Sequence, residues 1–318
     1  MSALIATFRG NRLLPSYLIV LALLVIILVV GAQVSDRFLT FRNFSYLFQQ
    51  MIVLGLVSLG QTFAILLGGI DLSIGALVGA VTVFLASFLE WQPHLMWVAV
   101  PAALLLGALV GAINGLLSVT LRVHPLIVTL GMSSVIFGLT LMYRKIPGGS
   151  VPIVFEELAY GSFWGVPIPA VALVFFFLVA GLWLQRSRSG RMIYFVGGDE
   201  EAARLNGVPV NRVKVLAFAL AGLCSALAAI FLTAKTGVGD PRIGTALTLQ
   251  SITPVIVGGT ILAGGRGGVL GTFLGVLLVA MLNNLLNFAG VSSYWQWVVQ
   301  GGIIIIAVGL HRSRGKAQ

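Results

Sequence analysis

Charged residues are scarce in this chain. Asp, Glu, Lys and Arg make up 9% of its 318 residues, whereas hydrophobic residues make up 58%. A soluble domain carries roughly 25% charged residues, and the mean hydropathy here is +1.06. Because such a composition cannot cover a water-exposed exterior, the chain is predicted to be an integral membrane protein with little mass outside the bilayer.

Several chemical signatures are also missing. The single cysteine, Cys224, excludes an intrachain disulfide. No G-x-x-x-x-G-K-[ST] loop is present, so ATP would have to be hydrolysed by another chain. No H-E-x-x-H, clustered Asp pair or Cys–His arrangement indicates an intramembrane enzyme or a metal site. The net charge of +10 has no soluble basic domain to support nucleic-acid binding, and orientation and anionic lipid explain it better.

What the chain does contain is long apolar runs. A helix needs about 20 apolar residues to cross the hydrocarbon core. About ten segments qualify, and their continuous apolarity excludes the alternating pattern of a membrane barrel. The segment 243–263 is broken by Pro254 and could be re-entrant or split. The predicted spans are 16–34, 46–67, 72–88, 96–119, 126–142, 168–184, 213–234, 243–263, 269–289 and 295–309.

The placement of Lys and Arg predicts the orientation. Loops rich in these residues stay in the cytoplasm, which puts both termini and most of the 19 basic residues on the cytoplasmic side. The outer side keeps Arg37, Arg42, Arg144, Lys145, Lys235 and Arg242.

One connection, residues 185–212, is long and polar. Asp199 is a good N-cap, and Glu200 and Glu201 suit the positive end of a helix dipole. Asn206-Gly207 and Pro209 are typical of a helix end. These signals predict a short cytoplasmic helix held by a partner, because a helix of this length is marginal in water; a solvated connector with one helical turn is the alternative.

A glycine pattern occurs twice. Residues 65–75 (ILLGGIDLSIG) and 261–271 (ILAGGRGGVLG) share Ile, Leu and their glycines, and each is followed four residues later by another glycine. Each copy is predicted to end one helix and start the next, with small residues allowing close backbone approach. Internal repeats with interrupted helices are common in transporters, although plain tight packing is a competing explanation.

Polar side chains inside apolar segments are candidates for a translocation path, since such residues are costly in a membrane. For each amide, an interhelical hydrogen bond is an equally good explanation. Asp71 is also expected to cap the following helix, with Leu72 as its first residue. The path candidates are Asn114, Asn283, Asn284, Gln61 and Asp71.

Several motifs together resemble the ribose-type permease family, the membrane subunits of bacterial ABC importers for sugars. They are, in order, GGIDLSIG, ING at 113–115, HPLIVTLG at 124–131, GR…VGGDEEAARLNGV at 190–208 and VIVGGTILAGGRGGVLGT at 255–272. The resemblance covers roughly residues 38–309. Asp199 stands where many relatives are expected to carry Asn, and both residues cap helices well.

The resemblance implies one transmembrane permease domain, residues 1–318, in the bacterial inner membrane, with a fold like the vitamin B12-type (type II) ABC importers. It implies a second permease subunit (identical or a sister chain), two ATPase domains that carry ATP and Mg²⁺, and a periplasmic sugar-binding protein. It also implies that the cytoplasmic helix couples to the ATPase through Asp199, Glu200, Glu201, Ala202, Ala203, Arg204, Leu205, Asn206 and Gly207.

The outer loops contain the predicted contact with the binding protein. The loop 143–165 and the stretch 235–242 are predicted to dock the binding protein by charge complementarity, through Arg144, Lys145, Lys235 and Arg242. The rival class is an ion-coupled secondary transporter of a small polar solute, which would need a buried carboxylate or His relay. Asp71 is the main residue that could serve that role.

Overall fold

The computed structural model describes residues 14–292, 294–298 and 301–302, and these residues form an α-helical bundle. A 3-10 turn, Pro93–Leu95, precedes the helix that begins at Met96. The helices are α1 (Leu14–Val34), α2 (Phe41–Leu66), α3 (Ile74–Trp91), α4 (Met96–Leu121), α5 (Pro125–Tyr143), α6 (Ile153–Tyr160), α7 (Ile168–Arg186), α8 (Arg188–Gly198), α9 (Glu200–Leu205), α10 (Val210–Thr236), α11 (Leu247–Gln250), α12 (Ile252–Val257) and α13 (Val269–Phe288).

The predicted all-α membrane architecture is confirmed. In the described part of the chain, seven helices are long and apolar enough to span a bilayer: α1, α2, α4, α5, α7, α10 and α13. The predicted spans 72–88 and 243–263 correspond to shorter apolar helices, Ile74–Glu90 and Leu247–Val257. The predicted span 295–309 lies mostly outside the described residues, so the described part does not reach the expected ten.

Burial separates central helices from peripheral ones. In α2, 83% of the most apolar 18-residue stretch is buried, whereas in α5 the buried share is 17%. The core residues of α2 and α10 are packed by α3, α4 and α13, while α1, α4, α5 and α7 expose rows of Leu, Val and Phe. Since a lipid tail is as apolar as these side chains, the exposed rows are a surface suited to the bilayer.

Helices α4 and α10 touch backbone to backbone. A methyl group at Gly111 would strike the Phe218 carbonyl oxygen, and one at Gly222 would strike the Gly107 carbonyl oxygen. Small residues one turn apart allow this approach, as in small-xxx-small helix pairs. The two helices therefore pack closely against each other beside α2.

The segment around residues 240–258 is split, as one of the two alternatives predicted. It forms α11 and α12, with Ser251 between them and Pro254 inside α12. Gly75 and Gly79 of α3 face the backbone at Gly244 and Pro241. Gly271 and Gly275 of α13 face the backbone at Gly258 and Pro254 in the same way. The two copies of the glycine pattern thus start two helices that enclose the split segment.

The loop after α5 is more ordered than a plain connector. It contains α6 and a two-stranded antiparallel sheet of β1 (Ser162–Phe163) and β2 (Val166–Pro167), with Phe163 opposite Val166. A backbone bridge joins Gly148 to Gly239. The two loops predicted to dock a binding protein therefore lie side by side.

Candidate functional site

The polar connection folds as two helices rather than one. Ser187 caps α8, its hydroxyl accepting from the Gly190 N–H at 2.8 Å. Asp199 then caps α9, its carboxylate accepting from the Ala202 N–H at 2.9 Å. Gly207 adopts the left-handed φ of +75° just beyond the end of α9. The predicted cap and end of α9 are confirmed. Helix α8 was not predicted, although its N-cap Ser187 is a residue typical of helix starts.

Helix α9 is fastened to its own chain at two points. Ala203 is fully buried, and its carbonyl oxygen accepts from the Val208 N–H at 3.0 Å. The Lys214 ammonium of α10 donates to the Glu200 carboxylate at 2.6 Å. Ala203 consequently faces the bundle. Among the predicted coupling residues, it anchors α9 to the bundle and is not exposed to a partner.

The outward surface of this connection carries apolar side chains among charges. Leu205 is 80% exposed and Phe195 is 49% exposed. Glu201, Arg204 and Asn206 are also exposed. Burying such side chains under a partner is favourable, because apolar surface leaves water. This surface is therefore the part of α8 and α9 best suited to contact another protein.

Three glycine doublets meet where α8 ends. We call this the glycine junction: Gly68-Gly69, Gly197-Gly198 and Gly264-Gly265. The Gly265 N–H donates to the Leu66 carbonyl oxygen at 2.9 Å. A methyl group on Gly197 would strike that same oxygen and lie 2.9 Å from the Gly265 nitrogen. The polar connection thus contacts both copies of the repeated pattern at one point.

Tyr194 adds a second link from α8 to the repeat. Its hydroxyl donates to the Gly267 carbonyl oxygen at 3.1 Å. Burial raises the pKa of this phenol to about 12, and the neighbouring Tyr17 adds to the effect. The hydroxyl therefore keeps its proton, and its capacity to donate, at any physiological pH.

Three predicted path residues lie together at the break between α2 and α3. The Asp71 carboxylate accepts from the Ser73 N–H at 2.9 Å and from the Ser73 hydroxyl at 2.6 Å. Asn114 donates to that hydroxyl at 2.8 Å. The Gln61 amide, oriented to satisfy both of its hydrogen bonds, donates to the Asp71 carbonyl oxygen at 3.1 Å and accepts from the Asp71 N–H at 3.3 Å.

This cluster is buried, and its hydrogen bonds hold the break between α2 and α3. Asp71 is 1% exposed, and Gln61 and Asn114 are fully buried. The Thr129 hydroxyl holds the same break by bonding the Ile70 carbonyl oxygen and the Leu72 N–H, each at 3.0 Å. Helix α3 begins at Ile74, so the predicted cap with Leu72 as first residue is wrong. Asp71 instead stabilises the turn that leads into Ser73.

The other path candidates lie near the opposite end of the bundle. Asn284 is 8% exposed and exchanges a 3.0 Å hydrogen bond with Asn43, which joins α13 to the start of α2. Asn283 is half-buried on α13. The two asparagine sites therefore do not meet within one subunit, and their part in a path stays a prediction.

A groove beside the split segment presents more accessible polar groups. Its volume is about 390 Å³, and the buried Thr253 hydroxyl within it has no hydrogen-bond partner among the described residues. The predicted path candidates include no threonine, because threonines are common in packed helices. The groove is lined by Thr245, Ala246, Leu249, Gln250, Thr253, Trp297 and Gly301.

The predicted docking cations share the end of the bundle away from α9. Arg144 pairs with Glu90 at 3.6 Å, whereas Lys145 and Arg242 are exposed. Lys235 is half-buried, and its carbonyl oxygen accepts from the Tyr160 hydroxyl at 2.8 Å. This arrangement leaves Lys145 and Arg242 free to contact a partner, while Arg144 is already partly neutralised.

Apolar spans, interrupted helices and a seated polar connection are features of a multi-pass permease. Residues 43–308 match the family described as branched-chain amino acid transport system / permease component, and the chain belongs to that family. It is 39% identical over 298 residues to the ribose import permease protein RbsC of Bacillus subtilis, covering 92% of this chain and 91% of the relative.

Two further relatives are similarly complete. The ribose import permease protein RbsC of Escherichia coli K12 is 40% identical over 295 residues, covering 91% of each chain. The D-allose transport system permease protein AlsC of the same strain is 33% identical over 293 residues, covering 91% of this chain and 89% of the relative. No solved structure matches the chain.

Proposed function

We propose that this chain is the membrane permease of an ATP-driven importer that carries a sugar or a related polyol across the bacterial inner membrane. The observation that supports it most strongly is the near-complete match to permeases named for ribose and allose. The whole chain acts as one transmembrane permease domain. Hydrolysis of ATP, with Mg²⁺, takes place on a partner ATPase.

Coupling to that ATPase runs through α9 and its flanks, Asp199–Gly207. The exposed Leu205 and Phe195 fit a cleft on the partner, and the buried Ala203 with the Lys214–Glu200 ion pair transmits force into α10. A capped, fastened helix moves as a rigid body, which is what converts closure of one protein into movement of another. The glycine junction carries that movement to the starts of α3 and α13.

The other components of the assembly are placed relative to the α9 end of the bundle. Two permease subunits enclose the path, in a fold of the vitamin B12 importer type with about ten spans. The α9 end and both termini are cytoplasmic, because basic loops stay inside. A periplasmic sugar-binding protein docks at the other end, where Lys145, Arg242 and the less accessible Arg144 and Lys235 lie.

The sugar path runs along the groove at α11 and α12. It does not run through the cluster at Asp71, because that cluster is buried. Hydroxyl and amide groups in the groove, on Thr245, Gln250 and Thr253, offer sugar hydroxyls both donors and acceptors. The ring of Trp297 adds an apolar face. Asn283 and Asn284 border the path nearer its outer end, while Gln61, Asp71 and Asn114 hold the helix break beneath it.

The coupling assignment is tested with Leu205→Glu, because Leu205 is 80% exposed and its side chain supports little of the chain's own packing. His94→Glu, at an exposed position in the 3-10 turn before α4, outside the membrane spans and away from α9, is the control. In complexes reconstituted with the ATPase and the binding protein, we expect Leu205→Glu to reduce sugar-stimulated ATPase activity about tenfold or more, since it buries a charge at the interface. The His94→Glu complex should retain its stimulation. Equal stimulation in both variants would contradict the assignment.

A further inference from the structure

A second polar cavity lies at the end of the bundle away from α9, between the start of α2 and the end of α13. Its volume is about 850 Å³. Nothing in the transport scheme above uses it. We call it the arginine pocket, and its lining residues are Arg37, Thr40, Arg42, Asn43, Ser45, Tyr46, Gln49 and Phe288.

The walls of the pocket are fixed by contacts between distant parts of the chain. The Asn43 amide donates to the Phe38 carbonyl oxygen at 2.7 Å and to the Asn284 side-chain oxygen at 3.0 Å. The rings of Phe38 and Phe288 meet edge to face, with centroids 5.7 Å apart. The connection before α2 is thereby held against α13, and the pocket is a preformed feature of the fold.

Neither Arg37 nor Arg42 forms an ion pair within the described residues, and the adjacent Asp36 forms none either. Arg42 is the second residue of α2, at the positive end of the helix dipole, where a cation is disfavoured. In the proposed orientation both also lie on the outer side, where basic residues are disfavoured. An anion bound between them would pair with both guanidinium groups and would offset the unfavourable interaction of Arg42 with the helix dipole.

One face of α2 carries the matching hydrogen-bonding groups. Arg42, Ser45, Tyr46 and Gln49 are spaced three and four residues apart, so they follow one another along the same side of the helix. The side chains of Ser45, Tyr46 and Gln49 make no hydrogen bond to the described part of the chain. Guanidinium groups bind phosphate oxygens in pairs, and the hydroxyl and amide groups suit a hydroxylated substituent on that phosphate.

The surroundings indicate a lipid as the source of the phosphate. Leu39 and Phe41 flank the pocket and are 52% and 70% exposed, next to the ends of the spans α1 and α2. Tyr46 is exposed at the same level, where amphipathic rings favour the membrane interface. A soluble phosphate would gain nothing from these apolar side chains, whereas the upper acyl chains of a phospholipid would cover them.

We propose that the arginine pocket binds the headgroup of an anionic phospholipid, with Arg37 and Arg42 on the phosphate and Ser45, Tyr46 and Gln49 on the headgroup hydroxyls. The bound lipid places negative charge at the start of α2. Since α2 is the central helix of the bundle, the lipid stabilises the contact between α2 and α13 at this end.

The proposal is tested by native mass spectrometry of the full chain, purified in detergent and titrated with phosphatidylglycerol or phosphatidylcholine. We expect the wild-type chain to retain phosphatidylglycerol in preference to phosphatidylcholine. The double variant Arg37→Gln/Arg42→Gln should lose about tenfold or more in phosphatidylglycerol affinity, because each basic residue near an anionic headgroup contributes roughly fivefold. Lys145→Gln, at the same end but outside the pocket, should bind like the wild type.

Competition separates a lipid from a soluble phosphate. Glycerol 3-phosphate should fail to displace the lipid at millimolar concentration; displacement at that level would overturn the lipid assignment. Equal phosphatidylglycerol affinity in the double variant and in Lys145→Gln would also overturn it. Should the double variant fail to fold, a photoactivatable phosphatidylglycerol is crosslinked to the wild-type chain. Labelling of peptides spanning residues 37–49 supports the site, and labelling only elsewhere contradicts it.

Discussion

Adjacent glycines at the glycine junction give a matched pair of perturbations. A methyl group on Gly197 would strike the Leu66 carbonyl oxygen, which already accepts the Gly265 N–H at 2.9 Å. A methyl group on Gly198 would meet nothing within 4 Å. Neither residue has a positive φ, so the two Gly→Ala changes differ only in the space that the methyl group finds.

The cost of Gly197→Ala follows from that geometry. Overpacking a tight contact costs about 1–3 kcal/mol, and weakening the Gly265–Leu66 hydrogen bond adds about 1 kcal/mol. We therefore expect Gly197→Ala to destabilise the chain by about 2–4 kcal/mol. Gly198→Ala should be neutral or stabilising by up to about 1 kcal/mol, because alanine restricts the unfolded chain.

Thermal unfolding of the purified variants, followed by tryptophan fluorescence, measures the difference. Gly197→Ala should lower the melting temperature by about 5 °C or more, with Gly198→Ala at or above the wild type. Equal melting temperatures for the two variants would refute the close contact between α8 and the two repeat copies.

Two further predictions concern hydrogen bonds that join distant elements. Asn43→Ala leaves the Asn284 amide without its 3.0 Å partner and should destabilise the chain by about 0.6–2 kcal/mol, the range for interhelical bonds in membranes; an unchanged melting temperature would contradict the pairing. Tyr194→Phe removes the bond to Gly267 and should cost about 1 kcal/mol at neutral pH. Because the pKa of Tyr194 is raised to about 12 from the ordinary 10.0, its contribution is complete below pH 10 and is lost as the pH rises from about 10 to 12. The stability of Tyr194→Phe should therefore fall less steeply over that window, and a parallel fall in both proteins would refute the assignment.

The seven spans among the described residues could be predicted because each is a continuous apolar run, and the physics that forces such a run into a helix is local. The start of α3 was misplaced for a reason that is not local. Asp71 satisfies its carboxylate with Ser73 and its backbone with Gln61, so the turn continues to Ile74. Pro254 indicates that the segment 243–263 is re-entrant or split, which is local information. The enclosure of this segment by α3 and α13 depends on glycines in two other helices.

The candidate sites likewise differ in whether neighbouring residues or distant helices determine them. The caps of α9 could be predicted because Asp199 and Gly207 act on their immediate neighbours. The glycine junction brings together residues near positions 66, 197 and 265, and the arginine pocket joins the start of α2 to the end of α13. No local pattern encodes either contact. Asn43 and Asn284 likewise find each other only once the helices have packed.

The central claim is that this chain passes a sugar using ATP hydrolysed by a partner. Its most direct test is uptake, by proteoliposomes that contain the chain, its ATPase and the binding protein, of the radiolabelled sugar that the binding protein binds. Uptake is expected only when ATP is present on the α9 side and the binding protein on the other. Sugar accumulation by the chain alone, driven by a proton or sodium gradient, would contradict it.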